Sequence, residues 1–237
     1  MKAMIFAAGL GTRFKPWTDN HPKALAVING KSLLQRNIEY LQQYGIKEVV
    51  VNVHHFADQI IDAIKNNKGW GSDIIISDET DEVLETGGGL LKAASLLGDE
   101  SFVVINADIL TDLDLSEMIN AHQRLQPLAT LATTHRETSR YFLFDHLDNL
   151  CGWKNIKTGE EKISRNTADK FPKAFSGIHI IDPRIFSIIT QRGKFSMVDV
   201  YLSLAGSEII KSFDHSDSKL IDVGKPESVA IAEALFT

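Results

Sequence analysis

The chain has 237 residues, of which 43% are hydrophobic and 24% charged, an ordinary globular composition that excludes disordered and collagen-like proteins. Its net charge of −6 argues against binding a nucleic-acid backbone, and no apolar run reaches the ~18 residues of a membrane span. The single cysteine, Cys151, cannot form an intrachain disulfide. We therefore expect one domain, residues 1–237, in the cytoplasm.

The first half predicts alternating strands and helices. Residues 3–8 form a continuous apolar run that ends in glycine, as in a strand buried on both faces of a parallel sheet. The same patterns predict further strands at 48–53, 74–77 and 102–106, and helices at 32–45, 57–66 and about 88–97. Asp112 and Asp114 are expected to cap a helix that begins near Leu115. This order is typical of β-α-β proteins with a parallel sheet.

The second half changes character. Strands are predicted at 128–134, 140–146, 175–181 and 219–223, short helices at 185–189 and 198–205, and a closing helix at 227–236. The stretch 147–174 is polar and predicts antiparallel hairpins and loops.

A glycine-rich segment, AAGLGTR at 7–13, directly follows the first strand. Glycines let the backbone turn sharply and present N–H groups to an anion, so phosphate is the predicted ligand. A dinucleotide fingerprint fails because Phe14 occupies the third glycine position. A Walker A loop ending at Gly30-Lys31-Ser32 fails because Leu25 occupies its first glycine position, so a turn before a capped helix is expected there.

Two cations follow this loop, Arg13 and Lys23. Together they would suit a phosphoryl-transfer site, because a guanidinium binds phosphate oxygens bidentately and an ammonium acts as a mobile charge. The alternative is that both are solvated loop charges.

Two aspartates follow predicted strands, Asp108 and Asp222. Ligands of open α/β sheets bind at the carboxyl ends of strands, and two carboxylates with substrate phosphates can hold Mg²⁺. The alternative for each is a turn or a helix cap.

A second glycine-rich turn lies at Thr86-Gly87-Gly88-Gly89. Without side chains between backbone and ligand, a base or ribose could lie against the main chain, although a flexible helix entry would look the same. Glu79, in the acidic stretch before it, is a possible base-reading group, while such stretches are usually solvated.

These segments resemble the sugar-1-phosphate nucleotidyltransferase family. The run AAGLGTRFKPWTDNHPK at 7–23 is similar to the family signature, and LETGGG at 84–89, NAD at 106–108, FSGI at 175–178 and DVG at 222–224 follow in the family order. The resemblance covers essentially the whole chain. It implies a Rossmann-like nucleotide-diphospho-sugar transferase fold, with a mixed, mostly parallel central sheet and helices on both faces. Within it, about 1–127 would bind nucleotide and about 128–237 the sugar phosphate.

The resemblance also implies roles for individual residues. Arg13 would steady the β- and γ-phosphates, Lys23 would contact the reacting phosphates, and Asp108 and Asp222 would hold Mg²⁺. The nucleotide would lie against Ala8, Gly9, Gly11, Thr12, Glu79, Gly87 and Gly88.

The chain departs from the family pattern at three places. Ala107 and Ala24 replace a glycine and a proline, each a small change that we expect to be tolerated. The glutamate-lysine-proline signature of many relatives is missing, which leaves Gly177, Lys154 and Lys173 as candidates for the sugar-phosphate contacts.

The implied reaction is a direct displacement between a nucleoside triphosphate and a sugar-1-phosphate that releases pyrophosphate. The likeness favours UTP with N-acetylmuramate-1-phosphate, a cell-wall sugar. GTP with heptose- or mannose-1-phosphate is the first alternative. A non-catalytic nucleotide-sugar-binding regulatory protein is the second, and the presence of all four charged site residues argues against it.

Overall fold

The computed structural model describes residues 1–237. Strands β1 to β14 are Ala3–Phe6, Val27–Ile28, Lys31–Ser32, Glu48–Val53, Asp73–Asp78, Phe102–Asn106, Ile109–Thr111, Ala129–Thr134, Arg140–Phe144, Leu150–Asn155, Glu161–Ile163, Phe171–Ile181, Ile210–Asp214 and Leu220–Asp222. Helices α1 to α8 are Leu33–Gln43, Ala57–Asn66, Glu85–Lys92, Ala94–Leu97, Leu115–Leu125, Ile185–Ile188, Met197–Leu204 and Ser228–Leu235.

The central sheet has the strand order β5-β4-β1-β6-β12-β8-β13. Within it β12 alone runs antiparallel to its neighbours, so the other six strands point the same way. The amino-terminal part of β12 continues into an antiparallel extension, β9-β10-β11. The predicted mixed, mostly parallel sheet is confirmed.

Helices cover both faces of this sheet because side chains of a strand alternate between faces. From β1, Ala3 and Ile5 join a core with apolar residues of α1, α2 and α5. Met4 and Phe6 join a second core with residues of α3, α6 and α7. The first core also contains Ala132 and residues of β12, so the two halves of the chain share it.

A small antiparallel pair, β7 with β14, positions the last part of the chain. Asp222 lies in register with Ile109, the residue after Asp108. The amide of Val223 donates to the carbonyl of Asp108 over 2.9 Å. Residues more than 100 positions apart are thereby brought together at the carboxyl edge of the parallel strands.

Several local expectations are confirmed, and a few are wrong. Asp114 caps α5 by accepting from the amides of Ser116 and Glu117, whereas Asp112 accepts instead from the amide of Lys219 over 2.7 Å. Helix α3 begins at Glu85, three residues earlier than predicted, and α4 follows it after Ala93. Strands β7 and β13 were not predicted.

Asn29 and Gly30 both have positive φ and form a tight turn between β2 and β3. A turn rather than a Walker A loop was predicted at this place. No helix of the chain combines the length and apolarity that crossing a membrane requires.

Candidate active site

A cleft of about 530 Å³ opens at the carboxyl edge of the parallel strands. The segment after β1 lines one wall, the end of β6 its floor, and the start of α3 the opposite wall. Eight of the predicted site residues line this cleft: Ala8, Gly9, Gly11, Thr12, Arg13, Lys23, Glu79 and Asp108. Ala24 and Ala107, the two substitutions relative to the family pattern, also line it and are buried.

The loop after β1 has the shape expected of a phosphate-binding turn. Gly11 has a φ of 61°, and a Cβ there would lie 2.9 Å from Cγ2 of Thr18, so only glycine fits. The hydroxyl of Thr18 donates to the carbonyl of Gly11 and fixes the turn. A Cβ on Gly9 would meet no atom within 4 Å, so Gly9 faces open space that a ligand can occupy.

A buried polar network supports this loop from below. The amide of Ala7 donates to Oδ1 of Asn52 over 2.7 Å, and Nδ2 of Asn52 donates to Oε1 of Glu79 over 2.8 Å. Glu79 is fully buried and its Oε2 has no hydrogen-bond partner. Burial raises the pKa of Glu79, although the bond from Asn52 opposes this. Asn52 was not predicted; its one signal is an amide within the apolar strand β4.

Two carboxylates and a lysine meet where β6 ends. The ammonium of Lys23 donates to the Asp108 carboxylate, and both side chains are largely shielded from solvent. Desolvation of its carboxyl group raises the pKa of Asp222, although the residue as a whole is exposed; the negative charge of Asp108 raises this pKa further, and the charges of Lys23 and Arg13 lower it. The structure thus brings Asp108 and Asp222 close enough to repel each other, and cations stand beside them.

The side chain of Arg13 approaches these carboxylates from the loop after β1. A Cβ on Gly224 would lie 2.7 Å from Oδ1 of Asp222 and 3.1 Å from Nη2 of Arg13, so the glycine lets both side chains approach. Arg13, Lys23, Asp108 and Asp222 therefore form one constellation of two cations and two anions. Such a constellation can bind polyphosphate together with a divalent cation.

The glycines at the start of α3 are packed against the second half of the chain. The amides of Gly87 and Gly88 both donate to the carbonyl of Phe195, at 2.9 and 3.2 Å. A Cβ on Gly87 would lie 2.4 Å from the Phe195 ring, and one on Gly88 2.3 Å from the carbonyl oxygen of Gly193. The structure gives these glycines a packing role that the sequence did not indicate.

The segment 193–195 also contributes Lys194, a cleft residue that was not predicted from the sequence. Its ammonium lies 3.7 Å from Oε1 of Glu85, across the mouth of the cleft. A lysine in a polar loop carries no local signal that distinguishes it from any other surface lysine.

The candidates for the sugar-phosphate end differ in their placement. Gly177 has a φ of 76°, and a Cβ there would lie 2.7 Å from Nδ2 of Asn106, so this glycine adjoins the site. Lys173 donates to Asp148 over 2.7 Å and to Ser212 over 3.0 Å, outside the cleft lining. Lys154 is half-buried on β10 and makes no hydrogen bond or ion pair; it too lies outside that lining.

Comparison with known proteins agrees with this constellation. The profile of the family described as nucleotidyl transferase matches residues 2–236. The chain belongs to the nucleotidyl transferase family. The match spans both halves, from the glycine-rich loop to the final helix.

Two relatives of this nucleotidyl transferase are each named N-acetylmuramate alpha-1-phosphate uridylyltransferase. The protein of Caulobacter vibrioides is 31% identical over 98% of the chain and 95% of its own length. That of Neisseria meningitidis serogroup B is 42% identical over 132 residues, which are 52% of the chain and 57% of that relative.

A solved structure extends the likeness to the fold. The crystal structure of HddC from Yersinia pseudotuberculosis superposes with a TM-score of 0.79 at 26% identity, covering 100% of the chain and 99% of HddC. The same protein was also solved in complex with GMP-PN. The nucleotidyl transferase therefore has the nucleotide-diphospho-sugar transferase fold that the family resemblance implied.

Proposed function

We propose that this enzyme transfers a uridylyl group from UTP to N-acetylmuramate-1-phosphate and releases pyrophosphate. The observation that carries the proposal is the meeting of Arg13, Lys23, Asp108 and Asp222 at the carboxyl edge of one sheet. The names of the two relatives support the choice of UTP and of the sugar. Such a reaction would supply a nucleotide sugar of the cell wall, and we place it in the cytoplasm.

In the proposed reaction, a phosphate oxygen of the sugar-1-phosphate attacks the α-phosphorus of the nucleoside triphosphate, and pyrophosphate leaves. No covalent enzyme intermediate is needed. Arg13 binds the β- and γ-phosphates that leave, and Lys23 binds the phosphates between which the new bond forms. Lys23 is held by Asp108 at the cleft floor and Arg13 lines the cleft beside Asp222, so the two cations would act by in-line positioning and by neutralising developing charge.

Asp108 and Asp222 are the residues that would hold Mg²⁺. Their fit rests on two carboxylates that the β7-β14 pair and the bond from the Val223 amide to the Asp108 carbonyl hold side by side at the end of β6. Two carboxylates plus the phosphates of a bound substrate form a ligand set that Mg²⁺ accepts. When bound, Mg²⁺ supplies charge neutralisation on the triphosphate.

We assign the nucleotide to the first half, about 1–127, and the sugar phosphate to about 128–237. The open space at Gly9 and the turn at Gly11 support contact of the loop, including Ala8 and Thr12, with the triphosphate. The unpartnered oxygen of Glu79, whose carboxyl group lies against Gly89, supports a base-reading role for this residue; Gly87 and Gly88 are the weaker nucleotide-binding candidates because residues 193–195 cover them. On the sugar side, Gly177 adjoins the site, Lys154 has a free ammonium, and Lys173 is the weakest candidate because it is bound to Asp148.

The experiment that tests the proposal measures pyrophosphate release with the four nucleoside triphosphates, each paired with several sugar-1-phosphates. We expect UTP with N-acetylmuramate-1-phosphate to give the highest kcat/KM. A preference for GTP of more than about tenfold, equivalent to roughly 1.4 kcal/mol, would replace the uridylyl assignment by the guanylyl alternative. If no pair releases pyrophosphate while nucleotide sugars still bind, the protein is a non-catalytic nucleotide-sugar-binding protein.

A further inference from the structure

The second half contributes one arginine to the edge of the sheet where the catalytic carboxylates lie. Strands β6 and β8 run in the same direction because each pairs antiparallel with β12, which lies between them. Their carboxyl ends therefore share one edge. Asp108 follows the end of β6, and Arg136 follows the end of β8.

Arg136 is tied to the segment that adjoins the site. Its Nη2 donates to the carbonyl of Phe175 over 3.0 Å. Phe175 is followed by Ser176 and Gly177, where the register of β12 against β8 shifts, and Gly177 packs on the side chain of Asn106 at the end of β6. A continuous path of contacts thus joins Arg136 to the floor of the cleft.

The charge of Arg136 has no local counterion. It forms no ion pair with any carboxylate, and its only hydrogen bond uses one of its five N–H groups. By contrast, Lys173 is neutralised by Asp148. Arg136 is exposed, so its remaining donors are free to meet a ligand.

Neighbouring polar atoms are unsatisfied as well. His215 follows β13 and is 5% exposed; its Nε2 lies 2.7 Å from the hydroxyl of Ser176, and its Nδ1 has no partner. The hydroxyl of Thr134, the last residue of β8, has none either. Arg136 lies beyond the residues that line the cleft, and its contact with Phe175 joins it to them through Gly177 and Asn106.

We propose that Arg136 binds an anionic group of the sugar-1-phosphate substrate. This inference rests on the proposed function. A guanidinium pairs with phosphate or carboxylate in the same bidentate geometry, so the group is either the phosphate or a carboxylate carried by the sugar. Arg136 takes this role in a chain that lacks the glutamate-lysine-proline signature.

The test compares wild type with R136A, R136Q and R136K, using N-acetylmuramate-1-phosphate and glucose-1-phosphate, which lacks the carboxylate. We expect R136A and R136Q to raise KM for the sugar-1-phosphate by about tenfold to a hundredfold, the range of a lost charge-assisted bond, with KM for UTP changed less than about twofold. The KM of R136K for the sugar-1-phosphate should lie between that of wild type and those of R136A and R136Q, because lysine keeps the charge. R124A, which removes an exposed arginine of α5, is the matched control and should resemble wild type.

The two sugars distinguish the two anions. A rise for both assigns Arg136 to the phosphate, and a rise for N-acetylmuramate-1-phosphate alone assigns it to the carboxylate. R136Q keeps an N–H donor on a shorter, uncharged side chain, so wild-type behaviour of R136Q would show that the charge of Arg136 is not needed and would overturn the proposal. An unchanged KM in R136A, or an equal rise in R124A, would overturn it too.

Calorimetric titration separates this inference from the proposed function. Each sugar-1-phosphate is titrated into protein that holds Mg²⁺ and an unreactive α,β-methylene analogue of UTP. Binding that weakens in R136A, without pyrophosphate release by wild type from UTP, would retain the Arg136 site and reject the proposed reaction. If wild type turns over while the sugar-1-phosphate binds equally to wild type and R136A, the proposed reaction is retained and the Arg136 site is rejected. No binding of either sugar-1-phosphate to wild type would overturn the Arg136 site.

Discussion

The ammonium of Lys23 and the carboxylate of Asp108 form an ion pair across 85 positions of the chain, with side chains only 12% and 25% exposed. This pair joins the segment after β1 to the end of β6 at the floor of the cleft. Because the pair is shielded from water, its charges act more strongly on each other and on a ligand than surface charges do. A triphosphate that enters the cleft must therefore share Lys23 with Asp108.

Removing either carboxylate charge should abolish most turnover. We expect Asp108→Asn and Asp222→Asn to lower kcat by at least about a hundredfold, since even the loss of a residue that only hydrogen-bonds to a metal's ligand costs about 10- to 100-fold. Both variants keep the side-chain shape, so circular dichroism and thermal unfolding should show a folded protein. Pyrophosphate release measured against Mg²⁺ concentration gives the result.

Asp62→Asn is the control for these variants because Asp62 is exposed on α2 and makes no polar contact. It should match wild type at every Mg²⁺ concentration. Near-normal turnover of D108N or D222N at limiting Mg²⁺ would show that the metal assignment is wrong.

The second prediction compares two cations of the first 31 residues. Arg13 faces Asp222 and Gly224, whereas Lys31 forms an ion pair with Glu39 on the surface, at 2.6 Å. We expect Arg13→Ala to lower kcat by about a hundredfold, as for a lost transition-state donor. Lys31→Ala should leave turnover unchanged and cost at most about 1 kcal/mol of stability, the upper range for an exposed pair. Equal losses in both variants would bring back the Walker A interpretation.

Much of the fold could be predicted because the positions that are buried in strands and helices are occupied mainly by apolar residues. Strands β1, β4 and β6 are buried on both faces, so they read as continuous apolar runs. Asp108 stood out because it lies just past the apolar run of β6, and Asp222 because it ends the short predicted strand at 219–223. Local chemistry also sufficed for the cap at Asp114.

The remaining features depend on contacts that no local pattern records. The glycines at 87 and 88 are packed against residues 193–195, more than 100 positions away. Strand β13 mixes polar and apolar residues and was overlooked, although it pairs in parallel with β8. Lys173 was one candidate for the sugar-phosphate contacts, and no local pattern shows that its ammonium pairs with Asp148.

Two glycines should respond oppositely to alanine. Gly87→Ala places a methyl group within 2.4 Å of the Phe195 ring and should destabilise the fold by about 1–3 kcal/mol, as overpacking does. Gly9→Ala meets no atom within 4 Å and should leave stability unchanged, while the added methyl raises KM for the nucleoside triphosphate. Urea unfolding and steady-state kinetics on both variants measure the two effects. A destabilised G9A with normal KM would contradict the open loop.

The last prediction concerns the buried carboxyl group of Glu79. Its pKa is raised mainly by burial, so the folded protein holds this proton more tightly than the unfolded chain. Stability contributed by the protonated form is therefore lost as pH rises from the ordinary glutamate pKa through the raised one. Because the glutamine of Glu79→Gln cannot ionise, the variant should not show this loss. The free energy of unfolding of E79Q minus that of wild type should therefore rise across this pH window and stay constant above it. Urea unfolding from about pH 4 to 8 spans the range. Glu82→Gln, exposed three residues later, is the control. An advantage of E79Q that shrinks as pH rises would show that Glu79 is stabilised as a carboxylate, through Asn52, more than burial penalises it.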